Sequence, residues 1–565
     1  MRTTWTWTCL LLLLALVLRL GGLGFGLHGD DPALAELGNS VDERAMARAV
    51  LNGALAGRVD PGVFLYWGSG AFWTFGLVDA LATLPGGMAE TLASWHGNLS
   101  GLVLLHRMVS ALAGVLTVLV LMRLVQRERG LATALTAGAL LATCYLHVRE
   151  SHFGTTDALL TLWITVAMSA SQRWLRARQA GDDRSGRWAL VAGLAAGLAA
   201  ATKTVGVLGL CLPAAAWLMG RRAGRPHGAV AAGRELSMAG LAAGAAWLAL
   251  SPHVFTSGGE MLEHLRSNSE RFGAGPWDVL PALWHHLVYS LGVGFGWLGL
   301  ALGGVGLVAL ANGPSDGDEP KRSREFLALL AVPFLFLLVF RLTASRYALP
   351  VLPALSALAA VGASALARRL ASEGAARTAA LWILVLAASA SSIVRSVTLD
   401  ALLLQRDTRV DAAAALRELE VPREQVLAFG LYGLPSPHQG DEPAAWVSFL
   451  RRASVQGADN PFERLDGGGL AFLAEAQAAV RSDPPRVLLH ERSHEALDAL
   501  GWEELTDLVD ARYERIASFD GRRDGVEPAL PDERSGSPTF FVPWASPWLM
   551  DRPGPALDIY LRRDE

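Results

Sequence analysis

The run Cys9-Leu10-Leu11-Leu12-Leu13-Leu14-Ala15-Leu16-Val17-Leu18, followed by Arg19, decides the fold class. Its apolar character continues past Arg19 to Leu27. No small-x-small cleavage site follows at the usual distance, so the segment reads as an uncleaved first span rather than a leader. Arg19 belongs near its far end, where it snorkels to the interface or faces the protein interior. Beyond it, Asn39-Ser40-Val41-Asp42-Glu43-Arg44-Ala45-Met46 places two carboxylates beside a cation, where the chain has just crossed a membrane.

Similar apolar blocks recur along the 565 residues. The chain is 52% hydrophobic and only 18% charged, whereas soluble domains carry roughly 25% charge. A spanning helix needs about 20 apolar residues. Segments 5–27, 101–122, 131–148, 156–173, 188–202, 204–220, 229–250, 286–311, 326–343, 347–367 and 378–398 meet that need, about eleven spans. The stretch 188–220 reads either as two spans or as one long kinked helix. A net charge of −4 does not suggest a nucleic-acid partner. Cys9, Cys144 and Cys211 all lie inside apolar runs, which excludes a disulfide framework and zinc-ligand spacing.

Orientation follows from the excess of cations in cytoplasmic loops. Arg123, Arg127 and Arg129 flank one loop, Arg173 to Arg187 the next such loop, then Arg221 to Arg234, Lys321 to Arg324, and Arg368 to Arg377. The alternate loops 28–100, 149–155, around 203, 251–285 and 344–346 are acidic, aromatic or short and belong outside. An odd number of spans puts the N-terminus inside and the C-terminal region outside.

The outer loops hold the unusual chemistry. Ser40-x-x-Glu43 before Ala45, Met46, Ala49 and Val50 reads as a capping box opening an amphipathic helix. Asp60-Pro61-Gly62 then turns into the aromatic belt Phe64-Leu65-Tyr66-Trp67, which Phe72, Trp73 and Phe75 extend. A surface helix followed by a re-entrant segment near 63–82 fits this pattern. Arg149, His152 and Asp157 crowd one short loop. Lys203 and Arg346 each stand between two apolar segments on the face where the distribution of cations would not put them. The bland readings are structural: Glu43 closes a cap, Asp157 caps a helix, and Lys203 and Arg346 anchor helix ends. The functional reading is a carboxylate that takes a proton from a hydroxyl or holds a divalent cation, with two cations nearby that suit a phosphate at the membrane surface. His285 and His286 are adjacent and diverge by about 100° on a helix, which disfavours a shared metal.

After about residue 400 the composition becomes ordinary. Helical stretches Val410–Leu419 and Leu470–Arg481 alternate with strands at Gln425–Phe429, Arg486–His490, Tyr513–Phe519 and Leu557–Leu561. That suggests a soluble α/β domain at 400–565, after a membrane domain at 1–399.

Together these residues resemble the polytopic GT-C glycosyltransferases, in particular the dolichyl-phosphate-mannose protein mannosyltransferase group (glycosyltransferase family 39) and its bacterial relatives, including the lipid A aminoarabinose transferases. The resemblance covers roughly residues 10–400. It rests on Arg19-Leu20, Val41-Asp42-Glu43-Arg44-Ala45, Asp60-Pro61 with Phe64-Leu65-Tyr66-Trp67, Arg149 through His152 to Asp157, Thr202-Lys203, Ser251-Pro252, Arg346-Tyr347-Ala348-Leu349-Pro350 and Asp407-x-Arg409. It implies a mainly helical GT-C bundle and a polyprenyl-phosphate-linked sugar donor. It also implies a lipid, glycan or protein acceptor and a location in a bacterial inner membrane, with the site and the C-terminal domain facing the periplasm. By resemblance Asp42 would be the base, with Glu43 beside it. Asp157 would support a sugar. Lys203, Arg346 and Tyr347 would bind the donor phosphate, and Arg149, His152 and Tyr66 would support the site. The resemblance leaves a divalent cation open. One departure matters: residues 29–38 intervene before the acidic pair, so Asp30 or Asp31 stands as an alternative base. The competing readings are a polymerase or ligase of lipid-linked glycans, and a transporter or lipid flippase. The latter predicts inverted repeats and mid-membrane charges, and the sequence has no visible repeat.

Overall fold

The computed structural model describes residues 2–27, 41–57, 68–221, 228–272, 275, 277–313, 319–339, 344–371, 373–422, 425–429, 480–482, 484–492, 502–524, 526, 542 and 544–563. The expected membrane segments are largely helical over their described residues, except that the first helix ends at Leu20 and 21–27 runs on as turns, and that 131–148 is broken at 143–144. The helices are α1 (Arg2–Leu20), α2 (Val41–Ala56), α3 (Ser69–Ala82), α4 (Met88–Gly97), α5 (Ser100–Ala142), α6 (Tyr145–Glu150), α7 (Thr156–Ala180), α8 (Ser185–Thr202), α9 (Cys211–Arg221), α10 (Gly228–Leu250), α11 (Gly258–Phe272), α12 (Val279–His285), α13 (Trp297–Asn312), α14 (Glu319–Ala331), α15 (Leu352–Leu370), α16 (Gly374–Leu403), α17 (Thr408–Glu418) and α18 (Trp502–Arg512). A π-helical stretch, His286–Gly296, joins α12 to α13, and tight 3-10 turns precede α9 and α15.

Among the described residues, stretches 100–142, 279–312, 345–370 and 374–418 are long and apolar enough to cross a membrane by length and composition. The chain is an integral membrane protein. Its bundle is packed through small residues. Gly193 and Gly197 of α8 lie so close to Ala239 and Ala243 of α10 that an added Cβ would fall 2.1 Å and 2.3 Å from backbone oxygens. Gly306 and Gly362 bring α13 and α15 together in the same way. Such close approach is how helices associate where no hydrophobic effect separates them from lipid.

Two breaks decide the path of the chain. Gly130 adopts φ 82°, a left-handed conformation that interrupts α5, so the two expected spans 101–122 and 131–148 are distinct helices in one run. Lys203 is extended (φ −152°, ψ 135°) and ends α8. The following turn folds back on α8, where Gly206 approaches Ala199 so closely that a Cβ would lie 2.1 Å from its carbonyl oxygen. Residues 188–220 are therefore two segments meeting at Lys203, not one kinked helix.

The two ends of α7 carry different charge networks. Near its C-terminus Arg176 bridges Glu128 (3.0 Å) and Glu325 (2.5 Å), tying α7 to α5 and α14. Asp157 stands at its N-terminus, about 28 Å away along the axis at ~1.5 Å per residue. That separation matches a bilayer core.

The C-terminal part forms one four-stranded sheet: β1 (Val426–Phe429), β2 (Val487–Glu491), β3 (Tyr513–Phe519) and β4 (Leu557–Arg562), in the order β1-β2-β4-β3. β1 and β2 are parallel, while β4 runs antiparallel to both of its neighbours. Ala412 and Leu416 of α17 pack on this sheet with Val487, Leu489, Leu557 and Ile559. All four strands lie where the sequence places them, within one residue at their ends. The expected helix at 470–481 falls almost wholly outside the described residues.

Candidate active site

Helix α2 carries Asp42 and Glu43 in its first turn. Their side chains diverge, as neighbours on a helix must. Glu43 turns inward and is 1% exposed. Its carboxylate accepts from Arg107 Nε (2.9 Å) and Nη2 (3.0 Å), and from the Gly154 backbone N–H (2.7 Å). Arg107 Nη1 also donates to the Leu23 and Phe25 carbonyls (2.8 and 2.6 Å). One buried ion pair thus fastens α2, α5, the end of the first span and the loop before α7. The cap at Ser40 lies outside the described residues. Both described oxygens of Glu43 are engaged by Arg107 and Gly154.

Asp42 turns the other way and pairs with Arg346 (Oδ2 to Nη1, 3.0 Å). Both side chains keep partial solvent access, 30% and 24%. Asp157, at the start of α7, accepts from Lys203 Nζ (2.8 Å). Lys203 Nζ lies 5.2 Å from the centre of the Tyr347 ring, and the Arg346 guanidinium lies 5.7 Å from the same ring. Four charged groups from four distant segments therefore form two ion pairs around one tyrosine. Each cation comes from a break between apolar α-helices: Lys203 at the extended corner after α8, Arg346 in the 3-10 turn before α15.

Arg149 and Glu150 end α6 and pair with each other (2.7 Å). Glu150 is buried, and Arg346 and Asp157 are close enough to act on its charge. Burial raises its carboxyl above the usual range, and Arg149 and Arg346 oppose the shift. Glu150 adjoins Arg149 in the sequence without any distinguishing pattern, and burial is what marks it out. His152 is held between the carbonyls of Val148 (Nδ1, 2.9 Å) and Gly21 (Nε2, 2.8 Å), with Asp400 at 3.4 Å. It fastens the end of the first span to the α6–α7 loop. Tyr66, Asp30 and Asp31 lie outside the described residues.

Two further expected pieces take structural positions. Ser251 receives a 3.4 Å contact from the Ser69 hydroxyl, which locks α3 beside the end of α10. Asp407 caps α17 by accepting from the Arg409 backbone (2.9 Å) and pairs with its side chain (2.6 Å), while the Thr408 hydroxyl donates to Pro555 (2.7 Å). Among the described residues no group of three or more His, Cys, Asp or Glu could hold a metal ion. His286 bonds Ser290 (2.9 Å). The carboxylates Asp42, Asp157 and Glu150 each face a cation of their own.

Comparison with known proteins bears on the fold. A family profile described as dolichyl-phosphate-mannose-protein mannosyltransferase matches residues 102–253. No curated protein matches the chain by sequence. Among solved structures, ArnT from Cupriavidus metallidurans bound to undecaprenyl phosphate is 15% identical, with a TM-score of 0.50 over 91% of this chain and 96% of that one. The oligosaccharyltransferase of Archaeoglobus fulgidus in its apo form is 14% identical, with a TM-score of 0.52 over 99% of this chain and 88% of that one. At such identities the likeness is one of fold.

Proposed function

We propose that this integral membrane protein, which has the GT-C fold, is a glycosyltransferase that moves a sugar from a polyprenyl-phosphate donor to an acceptor hydroxyl, with inversion, on the outer face of a bacterial inner membrane. The observation that carries the reading is the convergence of Asp42, Arg346, Asp157 and Lys203 around Tyr347. Two cations beside two carboxylates at the end of apolar helices suit a phosphate whose lipid lies among the spans. The family profile and the fold likeness to an undecaprenyl-phosphate-bound protein support the same donor class.

The chemistry then follows from the pairs. In the ligand-free state Arg346 holds Asp42. The donor phosphodiester gives Arg346 a second anion to pair with, and sharing the guanidinium loosens its hold on the Asp42 carboxylate. Asp42 takes the proton of the acceptor hydroxyl as its oxygen attacks the anomeric carbon. The bond from that carbon to the phosphate oxygen breaks, and lipid phosphate leaves with the electron pair. Arg346 and Lys203 offset the charge gathering on the leaving phosphate, the kind of preorganised stabilisation that often dominates such transfers. Tyr347 donates a hydrogen bond to the same phosphate, and Asp157 orients Lys203 and the sugar. Glu43 serves by fixing α2, and so Asp42, through Arg107.

The test is a donor panel. Purified protein is offered radiolabelled polyprenyl-phosphate sugars, polyprenyl-diphosphate sugars and nucleotide sugars. Turnover of the monophosphate class alone is expected. Turnover of the diphosphate class instead would favour a glycan ligase, and turnover of none would remove the transferase reading.

A further inference from the structure

The segment after residue 542 leaves the C-terminal domain and docks on the membrane helices. Trp544 is 3% exposed. Its indole stacks on Tyr145 with ring centres 4.8 Å apart and 28° between planes. The Arg149 guanidinium lies 5.1 Å from the centre of the same ring. Tyr145 and Arg149 are one turn apart on α6 and share a face. One tryptophan from the far end of the chain therefore covers the face of α6 that carries Arg149.

The contact is built on both sides. The indole N–H donates to the Tyr289 carbonyl (2.8 Å) in the π-helical stretch. In that stretch Gly294 leaves the space that the indole and Leu146 fill: a Cβ there would sit 3.3 Å from the Trp544 ring and 2.6 Å from Leu146. Arg395 of α16 donates to the Ala545 carbonyl (2.9 Å), and its guanidinium lies 5.6 Å from the Trp548 ring. Three membrane elements thus grip residues 544–548. Arg149 in turn holds Glu150, on whose charge Arg346 and Asp157 act.

We propose, resting on the transfer reading above, that Trp544 is a positioning residue: through it the C-terminal domain sets Arg149 and Glu150 against the Arg346–Asp157 side of the site. The domain beyond residue 400 is then part of the transfer site, not an appended module. A stacked, desolvated guanidinium is confined to one plane, and small displacements of a positioning group are costly, up to about a hundredfold in rate.

The test uses the full-length protein in detergent, with Trp544→Ala and Trp544→Phe. Hydrogen exchange across 144–155 reads the position of α6 without substrate, and turnover of a labelled polyprenyl-phosphate sugar reads function. Trp544→Ala is expected to speed exchange at 144–155 while leaving 170–180 at the other end of α7 as in wild type. It is also expected to lower kcat about tenfold or more with little change in donor KM. Trp544→Phe keeps a ring over Arg149 and restores most of both. Wild-type exchange and kcat in Trp544→Ala would overturn the proposal. So would loss of kcat in both variants alike, or exchange raised throughout the chain, since each marks a structural plug. If exchange responds as expected but wild type turns over no donor, the transfer reading fails and the placement of α6 by Trp544 stands.

Discussion

Replacing Glu43 by Gln tests how Asp42 is held. Glu43 accepts three hydrogen bonds, two from Arg107 and one from Gly154, at 2.7–3.0 Å in a fully buried setting. The glutamine keeps one acceptor oxygen but turns an NH2 group toward a donor, and it leaves the Arg107 charge buried without a counter-ion. Breaking a buried pair by removing one partner costs about 3–5 kcal/mol. At about 1.4 kcal/mol per tenfold, docking of α2 weakens by roughly two to three and a half orders of magnitude. Amide exchange in 41–56 should therefore accelerate by a comparable factor, capped by the rate of the free helix. Arg107→Met should do the same. The double variant Glu43→Gln with Arg107→Met removes both charges, so its destabilisation should fall well short of the sum of the single losses. Wild-type exchange in the Gln variant, or strictly additive losses in the double variant, would refute the argument that this pair fixes the helix bearing Asp42.

Lys203→Ala should weaken use of the donor by about tenfold or more, and because it leaves the buried Asp157 carboxylate without its cation it should also lower stability in detergent; the double variant Lys203→Ala with Asp157→Asn removes the orphaned charge and should recover stability but not donor use, whereas recovery of both would make Lys203 a helix anchor instead. Glu150→Gln should flatten the dependence of stability on pH: the folded-state carboxyl titrates above its unfolded range near 4.5, so wild type is favoured below that value and loses the contribution as pH rises through the raised pKa. Denaturation at several pH values checks this, and identical profiles for the two proteins would contradict it. Reporter fusions at Gly181 and after residue 565 should report the inside and the outside respectively; the reverse result would overturn the orientation on which the outward-facing site depends.

Much of the fold was legible in the sequence because its physics is local. Apolar blocks long enough to span, separated by arginine clusters, give the segments directly, and strands at 426–429, 487–491, 513–519 and 557–562 follow from short apolar runs between turns. The four charges of the candidate site stand out in the sequence for a related reason: Asp42, Asp157, Lys203 and Arg346 all interrupt or border apolar segments, where a charge is costly without a partner. Their pairing was not legible. Asp42 with Arg346 and Asp157 with Lys203 depend on which helix ends meet. Glu43 looked like the closing residue of a cap, and only the fold reveals Arg107 as its partner, since Arg107 sits inside an apparently continuous apolar segment. Trp544 lay beyond sequence reading altogether, because nothing in Val542-Pro543-Trp544 says that the segment leaves its own domain.

Asp42 as the base in transfer from a polyprenyl-phosphate sugar is open to direct measurement. The direct measurement is release of polyprenyl phosphate at saturating donor and acceptor, wild type against Asp42→Asn, with binding of polyprenyl phosphate followed in parallel. Turnover is expected to fall about a hundredfold or more in the Asn variant. Lipid-phosphate binding should be retained or tightened, because Arg346 no longer has a competing carboxylate. Equal release from the two proteins would contradict the assignment of Asp42 as the base.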